Sequence, residues 1–227
     1  ERHSLVTSGF VEVQDEGSQL LAMLVEAKRG QMIVDFCAGA GGKTLALGAA
    51  MRSEGRIYAF DTSDRRLASF EPRLKRSGLS NVHPERIAHE NDARVKRLTG
   101  KIDAVLVDAP CTGSGTLRRN PDLKWRMSPA AVDELVAKQS AILASAARLP
   151  KPGGRLVYGT CSLLPEENEG VVDRFIAAHP GWTLRSAPEI LARQGVESIG
   201  DGRYLKLLPH VHGTDGFFGA VLERPAA

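Results

Sequence analysis

The chain has 227 residues, with 30 Lys and Arg against 27 Asp and Glu for a formal charge of +3, and 42% of its residues are hydrophobic. That length and composition suit one domain with a sizeable core and exclude disordered, collagen-like and low-complexity chains. Its longest apolar stretches, Leu20 to Val25 and Leu143 to Ala147, fall well short of the roughly 18 consecutive apolar residues of a membrane span, so no membrane association is expected.

Short runs rich in Val, Ile and Tyr alternate with longer helical periodicities, the pattern of a strand-helix repeat building a parallel sheet. In chain order we read a helix over Gln19–Lys28, a strand over Met32–Phe36, a helix over Lys43–Met51, a strand over Arg56–Phe60 and a helix over Asp64–Ser77 stopped by Gly78. Strands over Glu85–His89 and Ala104–Asp108 follow, then a helix over Pro129–Leu149 capped by Ser128, a strand over Arg155–Tyr158 and a helix over Glu166–His179. Tyr204–Leu208 and Phe217–Glu223, joined by a loop over Pro209–Gly216, read as an antiparallel pair at a sheet edge. No repeat or Pro/Ser-rich linker divides the chain, so residues 1–227 read as one domain, with residues 1–30 as an amino-terminal extension packed on it.

The first strand runs directly into Cys37-Ala38-Gly39-Ala40-Gly41-Gly42-Lys43-Thr44, where glycines allow close backbone approach and a helix amino end offers free N–H groups. A phosphate-cradling P-loop needs glycine where Cys37 stands, and a dinucleotide fingerprint needs a third glycine where Thr44 stands. The second strand leads to Asp61, about 20 residues on, where doubly wound folds place an acid against ribose hydroxyls. A nucleoside without phosphates fits best, and S-adenosylmethionine is such a ligand; a NAD-dependent oxidoreductase is the weaker alternative. Asp92, after the third strand, reads either as an acid within reach of an adenine amine or as a surface-loop aspartate.

Cys37, Cys111 and Cys161 are an odd number of thiols with no zinc spacing, which favours a reducing, cytoplasmic setting and no metal. The first residues show no signal-peptide or transit-peptide composition. Cys37 reads as a small hydrophobe. The other two follow strand ends, in Asp108-Ala109-Pro110-Cys111 and Thr160-Cys161-Ser162, and would share a crevice if those strands are neighbours. Carbon 5 of a pyrimidine is a poor nucleophile until a thiolate adds to carbon 6. An acid that donates to ring nitrogen 3 assists that addition, a part open to Asp108 if burial favours its protonated form. Lys43 or a helix amino end would activate the thiol. Amino-group methylation instead calls for an aromatic residue where Cys111 stands. Arg118, Arg119, Lys124 and Arg126, interleaved with Trp125 in a Gly- and Pro-punctuated loop, offer phosphate contacts and a stacking platform. His210, His212 and Asp215 read as a turn rather than a metal site.

Taken together these motifs, with Gln14-Asp15-Glu16-Gly17-Ser18-Gln19, Arg118-Arg119-Asn120-Pro121-Asp122 and Gly213-Thr214-Asp215-Gly216-Phe217-Phe218, resemble the Sun-type (RsmB-like) family of RNA cytosine-C5 methyltransferases. The resemblance implies a class I methyltransferase (Rossmann-like) α/β fold, a mostly parallel sheet with helices on both faces and an antiparallel carboxyl-terminal edge. It also implies S-adenosylmethionine along Cys37 to Lys43, with Asp61 on the ribose, Asp92 near the adenine and Asp108 between methyl donor and base. By the same resemblance Cys161 is the nucleophile and Cys111 the thiol that helps release product. DNA cytosine-C5 enzymes attack from a Pro-Cys motif, which would exchange those two parts. The expected partner is ribosomal or transfer RNA, bound by a monomer. Ala40 stands where the family usually carries proline, so a less rigid loop is expected. An additional RNA-binding domain, common in the family, is not expected within this chain.

Overall fold

Apolar side chains alternate along the central strands and part into two cores, one on each face of a single eight-stranded sheet. The computed structural model describes residues 3–196, 199 and 202–226. The strands are β1 (Met32–Asp35), β2 (Arg56–Asp61), β3 (Val82–Arg86), β4 (Ile102–Asp108), β5 (Pro150–Thr160), β6 (Thr183–Arg185), β7 (Leu205–Leu207) and β8 (Phe217–Glu223). The helices are α1 (Ser4–Thr7), α2 (Glu16–Met23), α3 (Gly42–Ala50), α4 (Asp64–Ser77), α5 (Ala93–Lys96), α6 (Pro129–Ala146), α7 (Glu169–Ala178), α8 (Ala187–Ala192) and α9 (Pro209–His212).

Strand order is β3-β2-β1-β4-β5-β8-β6, and β7 also pairs with β8. The five strands from β3 to β5 run parallel, and β8 lies antiparallel to β5. In β4, Ala104 and Leu106 enter one core while Val105 and Val107 enter the other. The chain leaves β1 toward β2 on one side and later returns to β4 on the other. The crevice above the carboxyl ends of β1 and β4 is therefore the topological switch point, where such sheets bind ligands.

The expected antiparallel carboxyl-terminal edge is present: β7 and β8 pair antiparallel, and β8 is flanked by β5 on one side and by β6 and β7 on the other. Burial of β8 on both faces explains the unbroken apolar run Phe217 to Leu222. β3 lies three residues earlier than expected and contains Pro84, which an edge strand tolerates because one side of it carries no ladder. α2 also starts three residues early, because Asp15 caps it through Gly17 N–H at 2.9 Å. It ends at Met23, and Glu26 turns left-handed (φ 49°). α7 starts at Glu169, not Glu166, and the freed residues form a turn that buries Glu167 and Asn168. The elements α1, α5, β6, α8 and α9 are too short to leave a period in the sequence.

Candidate active site

The glycine loop is shaped by backbone demands at two positions. Gly41 has φ +83° at the amino cap of α3, and a Cβ there would stand 1.9 Å from the Phe70 ring. Gly39 also has positive φ, and its N–H donates to Asp61 Oδ2 at 2.9 Å, tying the loop to the end of β2. Asp61 is buried, and its other oxygen accepts from Ser63 N–H at 2.8 Å. Arg73 braces the loop from outside by donating to the Ala40 carbonyl at 2.5 Å.

A cavity of about 550 Å³ opens against this loop. Cys37, Ala38, Gly39, Ala40, Gly42, Lys43, Asp61, Asp108, Cys111 and Cys161 all line it, so nearly every residue singled out for cofactor or chemistry converges there. Gly41 shapes the loop without facing the cavity. Asp92 is not among the lining residues either: it caps α5, accepting from Ala88 N–H and Arg94 N–H at 2.9 Å each, and those bonds hold its carboxyl below the usual range. The stretch Ile87 to Glu90 forms the wall at that place. Phe36, Ile87, Ala109 and Ile142 give this part of the cavity an apolar lining.

β4 and β5 are adjacent, with Asp108 paired to Gly159, so the two thiols that follow them meet. Cys111 Sγ and Cys161 Sγ stand 3.4 Å apart. The hydrogen bond from Cys111 draws the Cys161 thiol below its ordinary pKa against burial and the Asp108 charge, and the Lys43 charge adds to the effect. The same hydrogen bond, together with burial, pushes Cys111 up. Cys37 is raised by burial and by the Asp35 charge, which leaves it an inert thiol.

Lys43 Nζ donates to Asp108 Oδ2 at 2.7 Å and lies 5.4 Å from the Phe217 ring centre. Burial opposes its charge, yet the attraction and hydrogen bond of Asp108 outweigh that and raise its pKa. Asp108 thus meets a cation, where the sequence suggested only burial. Beneath the pair, Asp35 accepts from the Thr44 hydroxyl at 2.6 Å, while its Oδ1 has no partner. Burial pushes its carboxyl up to about 7.

The basic segment divides in two by its contacts. Arg119 makes a bidentate ion pair with Asp215, which is 1% exposed, and Arg118 donates to the Gly213 carbonyl at 2.9 Å. Both arginines therefore fasten this loop to the segment before β8, and Gly115 packs against the backbone of Gly216. Lys124 Nζ lies 4.8 Å from the ring centre of Trp125, which is 78% exposed, and Arg126 follows in the same open turn. His212 Nδ1, at the end of α9, accepts from the N–H of Leu208, the residue before that helix, at 2.9 Å.

Sequence reasoning missed Glu167. Placed in the first turn of a helix it would be an ordinary solvated acid, and only the inward turn after β5 reveals it as a buried acceptor for Thr112, Ser162 and Gln139. Lys138, on α6, also lines the cavity and was likewise overlooked.

The family model described as 16S rRNA methyltransferase RsmB/F matches residues 22–223. A probable ribosomal RNA small subunit methyltransferase B from Synechocystis sp. is 40% identical over 220 residues, covering 95% of this chain and 48% of that protein. A probable ribosomal RNA small subunit methyltransferase B from Bacillus subtilis is 36% identical over 215 residues, covering 93% of this chain and 47% of that protein. The crystal structure of NSun6 from Pyrococcus horikoshii with SFG superposes with a TM-score of 0.86 at 30% identity, over 100% of this chain and 56% of that one. The chain spans about half the length of the curated relatives it matches. The sheet order, the paired thiols above it and the matched family model together show that the chain belongs to the RsmB/F family of 16S rRNA methyltransferases, with their Rossmann-like fold.

Proposed function

We propose that this chain transfers a methyl group from S-adenosylmethionine to carbon 5 of a cytidine in small-subunit ribosomal RNA, through a transient bond between Cys161 and carbon 6 of the base. The observation that carries this reading is the approach of Cys111 and Cys161 to 3.4 Å beside the Lys43–Asp108 pair, at one end of a cavity whose other end suits an adenosyl group. Asp61 offers a carboxylate for a ribose diol, the loop at Gly39 permits close backbone approach, and the apolar wall accepts a flat ring. A relative, NSun6, was crystallised with SFG. Three free thiols suit a reducing, cytoplasmic setting.

The cofactor supplies a methyl group on a sulfonium, a leaving group that departs with its bonding electron pair. Cys161, as its thiolate, adds to carbon 6 at the expense of the carbon 5–carbon 6 double bond, and ring nitrogen 3 receives a proton held by the Lys43–Asp108 pair. Carbon 5, now part of an enamine, forms the new bond to the methyl carbon. A base then removes the carbon 5 proton, the Cys161–carbon 6 bond breaks with its electrons returning to sulfur, and nitrogen 3 gives up its proton. The 3.4 Å approach of Cys111 to Cys161 supports giving Cys111 the part of assisting that release. The base must leave its stack to reach Cys161, and exposed Trp125 with Lys124 and Arg126 supports contact with unstacked RNA.

Incubation with tritiated S-adenosylmethionine and small-subunit ribosomal RNA, followed by bisulfite mapping, tests the proposal. Label at carbon 5 of one cytidine, absent with Cys161→Ala, is the expected result. Binding of NAD with no binding of S-adenosylmethionine would overturn it.

A further inference from the structure

Behind the two thiols sits a carboxyl group that the reaction above does not use. Glu167 is 0% exposed and lies in the turn between β5 and α7. Its Oε1 accepts from Thr112 N–H at 2.9 Å and from Gln139 Nε2 at 2.8 Å. Its Oε2 accepts from the Thr112 hydroxyl at 2.5 Å and from the Ser162 hydroxyl. The Tyr158 hydroxyl donates to its carbonyl oxygen at 2.6 Å and fixes the turn to β5.

Thr112 directly follows Cys111, and Ser162 directly follows Cys161. One carboxyl thus grips the neighbour of each thiol, and every partner is neutral. It also sets the direction of the hydroxyl chain. With its proton given to Glu167, Ser162 Oγ is left to accept, from Ser114 Oγ at 3.1 Å and from Leu164 N–H at 3.1 Å. Ser114 Oγ in turn accepts from Leu163 N–H at 2.8 Å. These bonds join the loop after β4 to the loop after β5, and all of them run through or beside Glu167. Four donors directed at one buried carboxyl fix its position tightly, because leaving any of them unmatched away from water is costly.

We infer that Glu167 is a positioning residue: it clamps the loop that carries Cys111 onto the loop that carries Cys161 and so keeps the two sulfur atoms within reach of each other. Its catalytic consequence rests on the proposed reaction, but the clamp itself does not, and the two can be tested apart.

The test reads thiol proximity without RNA or cofactor. Diamide accepts two electrons and two protons from a pair of neighbouring thiols, forming a disulfide while its azo bond becomes a hydrazine. In the wild-type chain this should link Cys111 to Cys161, detected by peptide mass spectrometry. Glu167→Ala should slow that linkage by about tenfold or more, as expected when a supporting shell is lost and a site loosens. Glu167→Gln should restore it to near the wild-type rate, because the amide oxygen keeps the Oε1 role and the Thr112 and Ser162 hydroxyls can turn to accept from the amide nitrogen. In methyl-transfer assays Glu167→Ala should lose about 100-fold in kcat, the effect of an ångström-scale misplacement, with cofactor binding kept. An unchanged linkage rate in Glu167→Ala would overturn the inference. Should Glu167→Ala fail to fold, Thr112→Val and Ser162→Ala each remove one hydroxyl donor. Slower linkage in either supports the clamp, and wild-type rates in both overturn it. Linkage rates that follow Glu167 in a chain that transfers no methyl group would refute the proposed reaction and leave the clamp standing.

Discussion

Cys111 Sγ and Cys161 Sγ, on residues 50 positions apart in the chain, approach to 3.4 Å because β4 and β5 are parallel neighbours whose carboxyl ends lie side by side. One hydrogen bond therefore moves the two thiols in opposite directions: the donor, Cys111, holds its proton more tightly and the acceptor, Cys161, loses its own more easily.

Alkylation by iodoacetamide should follow that asymmetry. As pH rises, Cys161 should react first, with a midpoint below that of an ordinary thiol, and Cys111 should react later. Replacing Cys111 with Ala removes the largest cause of the lowering, so the Cys161 midpoint should move upward. Mass spectrometry of the two peptides checks both statements, and earlier modification of Cys111 would contradict them.

Asp35 gives a stability prediction with a definite sign. Its folded pKa of about 7 lies above the unfolded value of 3.8, so the folded chain binds this proton more tightly. The stabilisation is complete below the unfolded value and disappears as pH rises through 7; a shift of this size corresponds to at most about 4 kcal/mol. Urea unfolding should show this loss between about pH 4 and pH 7 in the wild type, with no further change above it. Asp35→Asn, which keeps an oxygen for the Thr44 hydroxyl, should flatten it. An identical pH dependence in the variant would assign the effect elsewhere.

The arginines should separate by measurement. Arg119→Ala leaves the buried Asp215 carboxylate without its ion pair and should destabilise the fold by about 1–3 kcal/mol, the cost of an unsatisfied buried group. Lys124→Ala and Arg126→Ala should leave thermal unfolding unchanged and lower RNA affinity, reducing the salt slope by about 1 each. A stable Arg119→Ala chain that binds RNA weakly would reverse this division.

Gly41→Ala should lower the melting temperature and weaken cofactor binding together, since the added methyl meets Phe70 and the backbone is left-handed there. Normal cofactor affinity in that variant would show that the loop tolerates repacking.

The parallel half of the fold was legible because each of β1, β2 and β4 is a short apolar run that closes on an aspartate: Asp35 just before Cys37, Asp61, and Asp108 just before Cys111. The same alternation placed the glycine loop, Asp61 and both thiols around one crevice. The short connection before β8 likewise announced the antiparallel pair of β7 and β8, whereas the three-residue β6 that also pairs with β8 left no signal. Nor could periodicity show which charged residues turn inward. Arg119 finds Asp215 across 96 positions, and Glu167 finds Thr112 across 55. Such pairings are set by tertiary contacts and leave no local pattern.

The bond between Cys161 and the base is the central claim, and 5-fluorocytidine tests it most directly. Fluorine at carbon 5 cannot leave as a proton does, so small-subunit ribosomal RNA containing this base should trap the wild-type chain, with S-adenosylmethionine, as a complex that survives denaturing electrophoresis. Digestion should find the RNA on the peptide containing Cys161, and Cys161→Ala should give no complex. With ordinary RNA, Cys111→Ala should accumulate the same linkage because release is impaired. RNA attached at Cys111, or methyl transfer with no trapped complex, would contradict the account.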